Sequence, residues 1–459
     1  MTYCNCFTSI ISMKFSLPWR TALLCLLSLT ACQDDSDTFR LPDSVALEQL
    51  LEEHGGKSAF LLPEADDYAA IPQDPKNPIT LEKVELGRLL FHETGIGTES
   101  LTRGGRTTFS CASCHFAKAG FQAGTFQGVG DGGVGFGLRG ERRTPNLEEL
   151  MDSIDVQPIR TPTALNVAYQ EAMLWNGQFG GVGINEGTEA GWTAGTPKEN
   201  NHLGFEGVET QAIAGLGVHR LTMSPELADE LGYRELFDAA FADVPAEERY
   251  TKLSTAMAIA AYERTLLANK APFQQWLRGL EGALRPDELK GALLFFGKAG
   301  CVSCHNGPAL SSMSFHALGM ADLSDCPEPT VRTSPDNVEN RGRGGFTGRA
   351  EDLYKFKVPQ LYSLRSSPFY GHGASFRSVR DVISYKNEAV AENPRVPADA
   401  LAPSFQPKGL TEAEIDVLTV FIETALHDGD LQRYEPEALP SGLCFPNHDE
   451  ASRGDLGCL

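Results

Sequence analysis

Two copies of the pentapeptide Cys-x-x-Cys-His constrain this chain more than any other feature: Cys111-Ala-Ser-Cys114-His115 and Cys301-Val-Ser-Cys304-His305, 190 residues apart. With 11 cysteines and 10 histidines among 459 residues, chance supplies about 0.006 such matches. Two thiols three positions apart on a helical turn can add to the two vinyl groups of one haem, and the following imidazole then reaches the iron. The pattern therefore predicts two covalently bound c-type haems. Other uses of these residues fit less well. A zinc site made of paired Cys-x-x-Cys units brings them closer in sequence and needs no His after each. A redox Cys-x-x-Cys occurs once, in a βαβ setting. A disulfide inside each motif would close a small ring and constrain little chain.

Residues 14–31 carry Lys14 and Arg20, an apolar run from Thr21 to Leu29, and small residues ahead of Cys32. A basic start, a short apolar centre and small residues at the end describe an export signal, too short to span a bilayer permanently. Leu29-Thr-Ala-Cys32 also resembles the bacterial lipobox. That resemblance implies cleavage before Cys32, lipidation of its thiol and, with Gln33 next to it, an outer-membrane anchor. The expectation is a periplasmic lipoprotein. Removing residues 1–31 takes away Lys14 and Arg20 and no acid, so the formal charge moves from −22 to −24. This balance excludes nucleic acid as a partner, because a phosphate backbone is held by clustered Lys and Arg. Cys326, Cys444 and Cys458 remain for at most one disulfide, and the sequence does not choose the pair.

Helical signals dominate the rest. Thr80 caps a segment over 81–92 with Leu86, Leu89 and Leu90 on one side. Residues 251–267 place Leu253, Met257 and Ala260 at helical spacing, and Pro286 opens a helix carrying Leu289, Leu293 and Phe296. Thr411-x-x-Glu414 is a capping box ahead of Ile415, Leu418 and Ile422, with Gly429 closing that helix. No run alternates as a strand should. Residues 119–140 hold nine glycines, and within them Gly128-Val-Gly130-Asp-Gly-Gly133 satisfies G-x-G-x-x-G in form. No strand precedes it and no helix opens after it, so a dinucleotide site is not predicted. The predicted fold class is mainly α, with long Gly-rich loops.

Two haems alone permit a plain electron carrier, so the question is whether one iron keeps an open side. Apart from His115 and His305, the histidines are at 54, 92, 202, 219, 316, 372, 427 and 448. None falls between 115 and 202, where Met151 and Met173 are the only thioethers. The loop after the first motif thus offers no imidazole to the distal side, and an accessible iron binds peroxide or dioxygen.

Over residues 78–430 the chain resembles the bacterial dihaem cytochrome c peroxidase/MauG family. The resemblance runs through LGRLLFHETGIG, TPTALNVAY, LWNGQ, VETQA and AIAAYERTLL, then LLFFGKAGCVSCHNGPALS, KFKVPQLYSLRSSPFYGHG and SVRDVISY, in that order. It implies two cytochrome-c-like domains: a peroxidatic haem domain over 79–285 and an electron-transfer haem domain over 286–435. Residues 32–78 are read as a tether and 436–459 as a C-terminal tail. Trp175 matches the family tryptophan that stands between the haems, and Gln211 matches the glutamine of the peroxide pocket. Gly215 replaces the family's distal Pro, and no Glu falls at the following acid–base position. His219, eight residues after Gln211, is the nearest substitute able to move a proton between the peroxide oxygens. At the second haem the peroxidase branch has a Met ligand. The corresponding residue is read as Tyr385, as in MauG, and Met313 and Met320 are read as packing residues. An interhaem calcium ion is also implied, but Arg160 stands where the family has Asn. The expected activity is reduction of hydrogen peroxide to water with electrons from a small cytochrome c or cupredoxin, for which the acidic balance suits a basic donor. The alternatives are a MauG-like peroxide-dependent oxidase and a non-catalytic dihaem carrier. The oligomeric state is left open, a homodimer included.

Overall fold

The computed structural model describes residues 42–458, so the expected signal peptide and Cys32 lie outside the described residues. Among these residues the helices are α1 (Pro42–Glu52), α2 (Leu81–His92), α3 (Gly207–Val218), α4 (Pro225–Glu230), α5 (Arg234–Ala240) and α6 (Lys252–Arg264). They continue with α7 (Pro272–Leu277), α8 (Pro286–Phe296), α9 (Arg343–Thr347), α10 (Val379–Glu388), α11 (Glu412–Val420) and α12 (Glu450–Leu456). Sheet is confined to two ribbons of two-residue strands: β1 (Gly133–Val134) with β2 (Thr144–Pro145), and β3 (Phe315–His316) with β4 (Phe356–Lys357), both antiparallel. The chain is mainly α with long loops, as its sequence implies.

The two halves use the same packing device. Gly87 of α2 lies so close to α6 that a Cβ there would meet the Ala258 carbonyl oxygen at 1.9 Å. Gly291 of α8 approaches α11 in the same way, its Cβ position 2.2 Å from the Val417 carbonyl oxygen. In each pair a helix that precedes the haem motif meets, backbone against backbone, one that follows it, and only glycine permits that distance. Thr80 caps α2 by accepting from the Lys83 N–H, and Thr411 with Glu414 forms the expected capping box. Two details differ from expectation. Residues 254–264 of α6 are all buried while Leu253 is 47% exposed, so α6 is a central helix rather than an amphipathic one. The α11 segment passes into a π-helical turn at Phe421–Ala425 and ends before Gly429.

The tether reading of residues 32–78 fails for the described part, residues 42–78. Leu47 and Leu51 of α1, then Phe60 and Leu62, are buried in the same core as Phe296 and Phe421. Trp276 Nε1 donates to Ser44 Oγ at 3.0 Å, and the Phe60 ring meets Phe296 edge-on at 5.2 Å. The polar composition hid a few apolar residues spaced to bury on one side.

Candidate functional site

Both Cys-x-x-Cys-His motifs begin with a single 3₁₀ turn, Cys111–Ser113 and Cys301–Ser303. In the first, the Ser110 N–H donates to Ser113 Oγ at 3.0 Å. His115 Nδ1 lies 3.1 Å from the Phe121 carbonyl oxygen, and His305 Nδ1 lies 3.0 Å from that of Leu310. A carbonyl only accepts, so Nδ1 carries the proton in both rings and Nε2 keeps a free lone pair. Burial pushes His115 down to about 4 and His305 down to about 3, so both imidazoles are neutral. Cys111, Cys114, Cys301 and Cys304 are all free thiols. Gly128 lets the glycine-rich loop close over the first motif, since a Cβ there would stand 2.9 Å from Cys114 Sγ. Two free thiols on one turn and a neutral imidazole with an available Nε2 fit a c-type haem in each half.

Helix α3 carries the residues that the sequence reads as distal to the first haem. Gln211, Gly215 and His219 follow one another at i, i+4 and i+8, one stripe of the helix and its C-cap. Gly215 leaves that stripe open; a Cβ there would meet Gln211 Nε2 at 3.4 Å. The other face is anchored by Glu209, which holds Arg264 of α6 through contacts of 2.6 and 2.8 Å, both side chains fully buried. His219 Nδ1 is 2.7 Å from Asp155 Oδ2, and its Nε2 makes no hydrogen bond among the described residues. Desolvation alone would lower the His219 pKa, but the Asp155 charge and hydrogen bond outweigh it and raise it. Burial alone would raise the Asp155 pKa, but His219, Arg220 and Arg332 together lower it. A charge on His219 opposes one on His115. The interval from 115 to 202 does lack an imidazole, and α3 brings one from beyond it.

The second motif opens on an apolar cavity whose wall includes Cys301, Cys304, His305, Trp175 and His372. Trp175 Nε1 donates to the Arg160 carbonyl at 2.8 Å, and its ring stands 6.4 Å from His372, which stacks on Phe356 at 3.7 Å. Tyr385 is misplaced by the sequence reading. On α10 the cavity takes Val379, Val382, Ile383, Lys386 and Asn387, a stripe at i, i+3, i+4, i+7 and i+8. Tyr385, about 100° around the helix from Lys386, donates its hydroxyl to the Leu318 carbonyl at 2.6 Å and packs on Phe376 and Phe405. It is therefore not a ligand candidate. Met320, read as a packing residue, does lie on the cavity wall. Burial lowers the pKa of Lys386.

Arg160, which already put the calcium site in doubt, fills its own surroundings. Its buried guanidinium donates to the Thr125 carbonyl at 2.7 Å, Ser367 Oγ at 2.8 Å, Gln122 Oε1 at 3.1 Å and the Ala123 carbonyl at 3.3 Å. Burial pushes its pKa down to about 10, which still leaves it charged. One fixed cation already sits among these oxygens and would repel a second.

The C-terminal residues are not a loose tail. Cys444 and Cys458 form the disulfide that the sequence left open, and Cys326 stays free beside Glu328. The Pro446 carbonyl accepts from Ser110 Oγ at 3.0 Å and Ser113 Oγ at 3.2 Å, behind the first motif. Asp449 pairs with buried Arg143 at 2.8 Å.

Residues 81–282 match the family described as di-haem cytochrome c peroxidase. A methylamine utilization protein MauG of Methylorubrum extorquens is 29% identical over 370 residues, covering 80% of this chain and 83% of its own. A cytochrome-c peroxidase of Denitromonas iodatirespirans is 27% identical over 372 residues, 77% of this chain and 84% of its own. Among solved structures, a MauG-like protein associated with microbial copper homeostasis shares the fold with a TM-score of 0.53. It is 22% identical and covers 81% of this chain and 95% of that one.

Proposed function

The chain belongs to the bacterial di-haem cytochrome c peroxidase/MauG family, and we propose that it reduces hydrogen peroxide to water on the His219 side of the first motif. One peroxide, two protons and two electrons give two waters, the electrons coming from a small cytochrome c or cupredoxin. The observation that carries this reading is the repeated donor set: His115 and His305, each with Nδ1 tied to a carbonyl, beside two free thiols. When bound, two c-type haems supply an iron where the O–O bond breaks and a second redox centre.

The chain's own residues then do the following. Asp155 holds the proton on His219 Nδ1, so Nε2 can take a proton from the near peroxide oxygen and return it to the far one. Gln211, one turn-pair earlier on the same stripe, offers an amide to orient the substrate. Trp175 is held by the Arg160 carbonyl at the second cavity, where its π-system can relay charge. We assign the first haem domain to residues 79–285 and the second to 286–435. We also assign residues 1–31 to a signal peptide and Cys32 to a lipid anchor on a periplasmic protein, on the basic start, apolar run and cysteine placement. The MauG-like oxidase reading drew on Tyr385, and it loses that support with the hydroxyl turned to Leu318.

Ultraviolet–visible and EPR spectra of the ferric protein, before and after peroxide, test the proposal. One centre is expected to react with peroxide and to turn over with a reduced small cytochrome c. Two centres inert to peroxide would leave only the carrier reading.

A further inference from the structure

We propose that the side-chain amine of Lys386 is the sixth ligand of the iron held by His305. This rests on the assignment of a haem to the second motif and not on peroxide turnover. The phase of α10 carries the argument. Val379, Val382, Ile383 and Lys386 share the face that lines the cavity of Cys301, Cys304 and His305. The first three are hydrocarbons, and Asn387, also on the wall, is tied to Leu410 through both ends of its amide, so Lys386 is the α10 donor on this wall left free among the described residues. A charge on Lys386 opposes one on His305.

The rivals on the same wall are engaged elsewhere. His372 Nε2 is 3.1 Å from Asp322, and His316 Nε2 is 3.0 Å from Ser314 Oγ. Tyr370 donates to the Leu364 and Ser367 carbonyls at 2.9 and 2.7 Å. Lys357 is held by Gln170 and by the Ala172 carbonyl at 2.7 Å. Met320 packs in the cluster of Phe376, Tyr385 and Phe405, with its sulfur 3.6 Å from where a Cβ on Gly371 would stand. Lys386, by contrast, forms no hydrogen bond and no ion pair among the described residues. A primary amine is a harder donor than a thioether and accepts no charge back from iron, so it favours the ferric state.

The test uses the haem-loaded protein and three variants, Lys386→Met, Lys386→Ala and Tyr385→Phe. Haem content is measured first, and fewer than two haems per wild-type chain would overturn the haem assignment itself. With two haems present, the wild type is expected to show a low-spin second haem without the near-infrared band of methionine–iron ligation. Lys386→Met should introduce that band and raise the reduction potential of this haem. Lys386→Ala should convert its EPR signal to high spin, and Tyr385→Phe should leave it unchanged. An unaltered low-spin signal in Lys386→Ala, or its loss in Tyr385→Phe, overturns the proposal. The first of these outcomes would mean that another group ligates this iron.

Discussion

His219 Nδ1 stands 2.7 Å from Asp155 Oδ2, and this contact decides which nitrogen of the ring carries the proton. Asp155 comes from 64 residues earlier in the chain and is nearly buried, while His219 caps α3 at its C-terminus. The carboxylate accepts and therefore fixes the proton on Nδ1. Removing the imidazole in His219→Ala should slow the reaction with peroxide by about 10²–10⁴-fold, measured by stopped-flow absorbance. Unchanged kinetics would remove His219 from the mechanism.

The same contact sets a pH dependence. Asp155 raises the His219 pKa above its ordinary value, and the base is competent only when neutral. The rate should therefore rise with pH through a limb above about 6.5, and in Asp155→Asn that limb should move to lower pH. The stability of the ion pair runs the other way. It is complete where Asp155 is ionised and His219 protonated, and is lost as pH rises through the raised His219 pKa or falls through the lowered Asp155 pKa. A limb that stays in place in Asp155→Asn would show that the carboxylate does not tune the ring.

Glu263 of α6 is buried, and its Oε2 has no hydrogen-bond partner. Burial first, and the Glu209 charge second, push it up to about 8. The folded protein thus holds this proton between pH 4.5 and 8 where the unfolded chain releases it, so stability falls as pH rises through that window. Glu263→Gln removes the titration. Denaturant unfolding should show the variant gaining about 3 kcal/mol relative to the wild type between pH 4.5 and 7.

Glu209 and Arg264 fasten α3 to α6 with both side chains fully buried. Arg264→Met leaves the Glu209 carboxylate without its partner and should cost about 3–5 kcal/mol of stability. The double variant Glu209→Leu/Arg264→Met should recover much of that loss. If the single variant unfolds at the wild-type denaturant concentration, the pair is not what seats α3.

Arg160 bears on metal dependence. With a guanidinium already bonded to four oxygens, prolonged chelation should leave peroxide turnover and thermal stability unchanged. Arg160→Ala should lower the melting temperature, because buried acceptors lose their donor. Recovery of the variant by added calcium would show that the side chain stands in for the ion.

What was legible in the sequence was local. The two haem motifs, the Thr80 cap and the Thr411–Glu414 box each lie within five residues, and the structure keeps them all. What was missed depends on distance or on phase. Asp155 has no signature until α3 delivers His219 to it. The oxygens around Arg160 are mostly backbone carbonyls, which no side-chain pattern reveals. Lys386 could have been found, because Val379, Val382, Ile383 and Lys386 already form a readable helical stripe that excludes Tyr385. The tether reading erred because composition was weighed over the spacing of Leu47, Leu51, Phe60 and Leu62.

The Pro446 carbonyl behind Ser110 and Ser113 has a consequence for how the protein is made. The first haem motif leaves the ribosome early, yet its backing is supplied by a disulfide-closed segment translated more than 300 residues later. Until that segment is made, the Ser110 and Ser113 hydroxyls lack the Pro446 acceptor. A chain cut short at residue 443 would carry both motifs, the first without this acceptor and without the Cys444–Cys458 closure beside it.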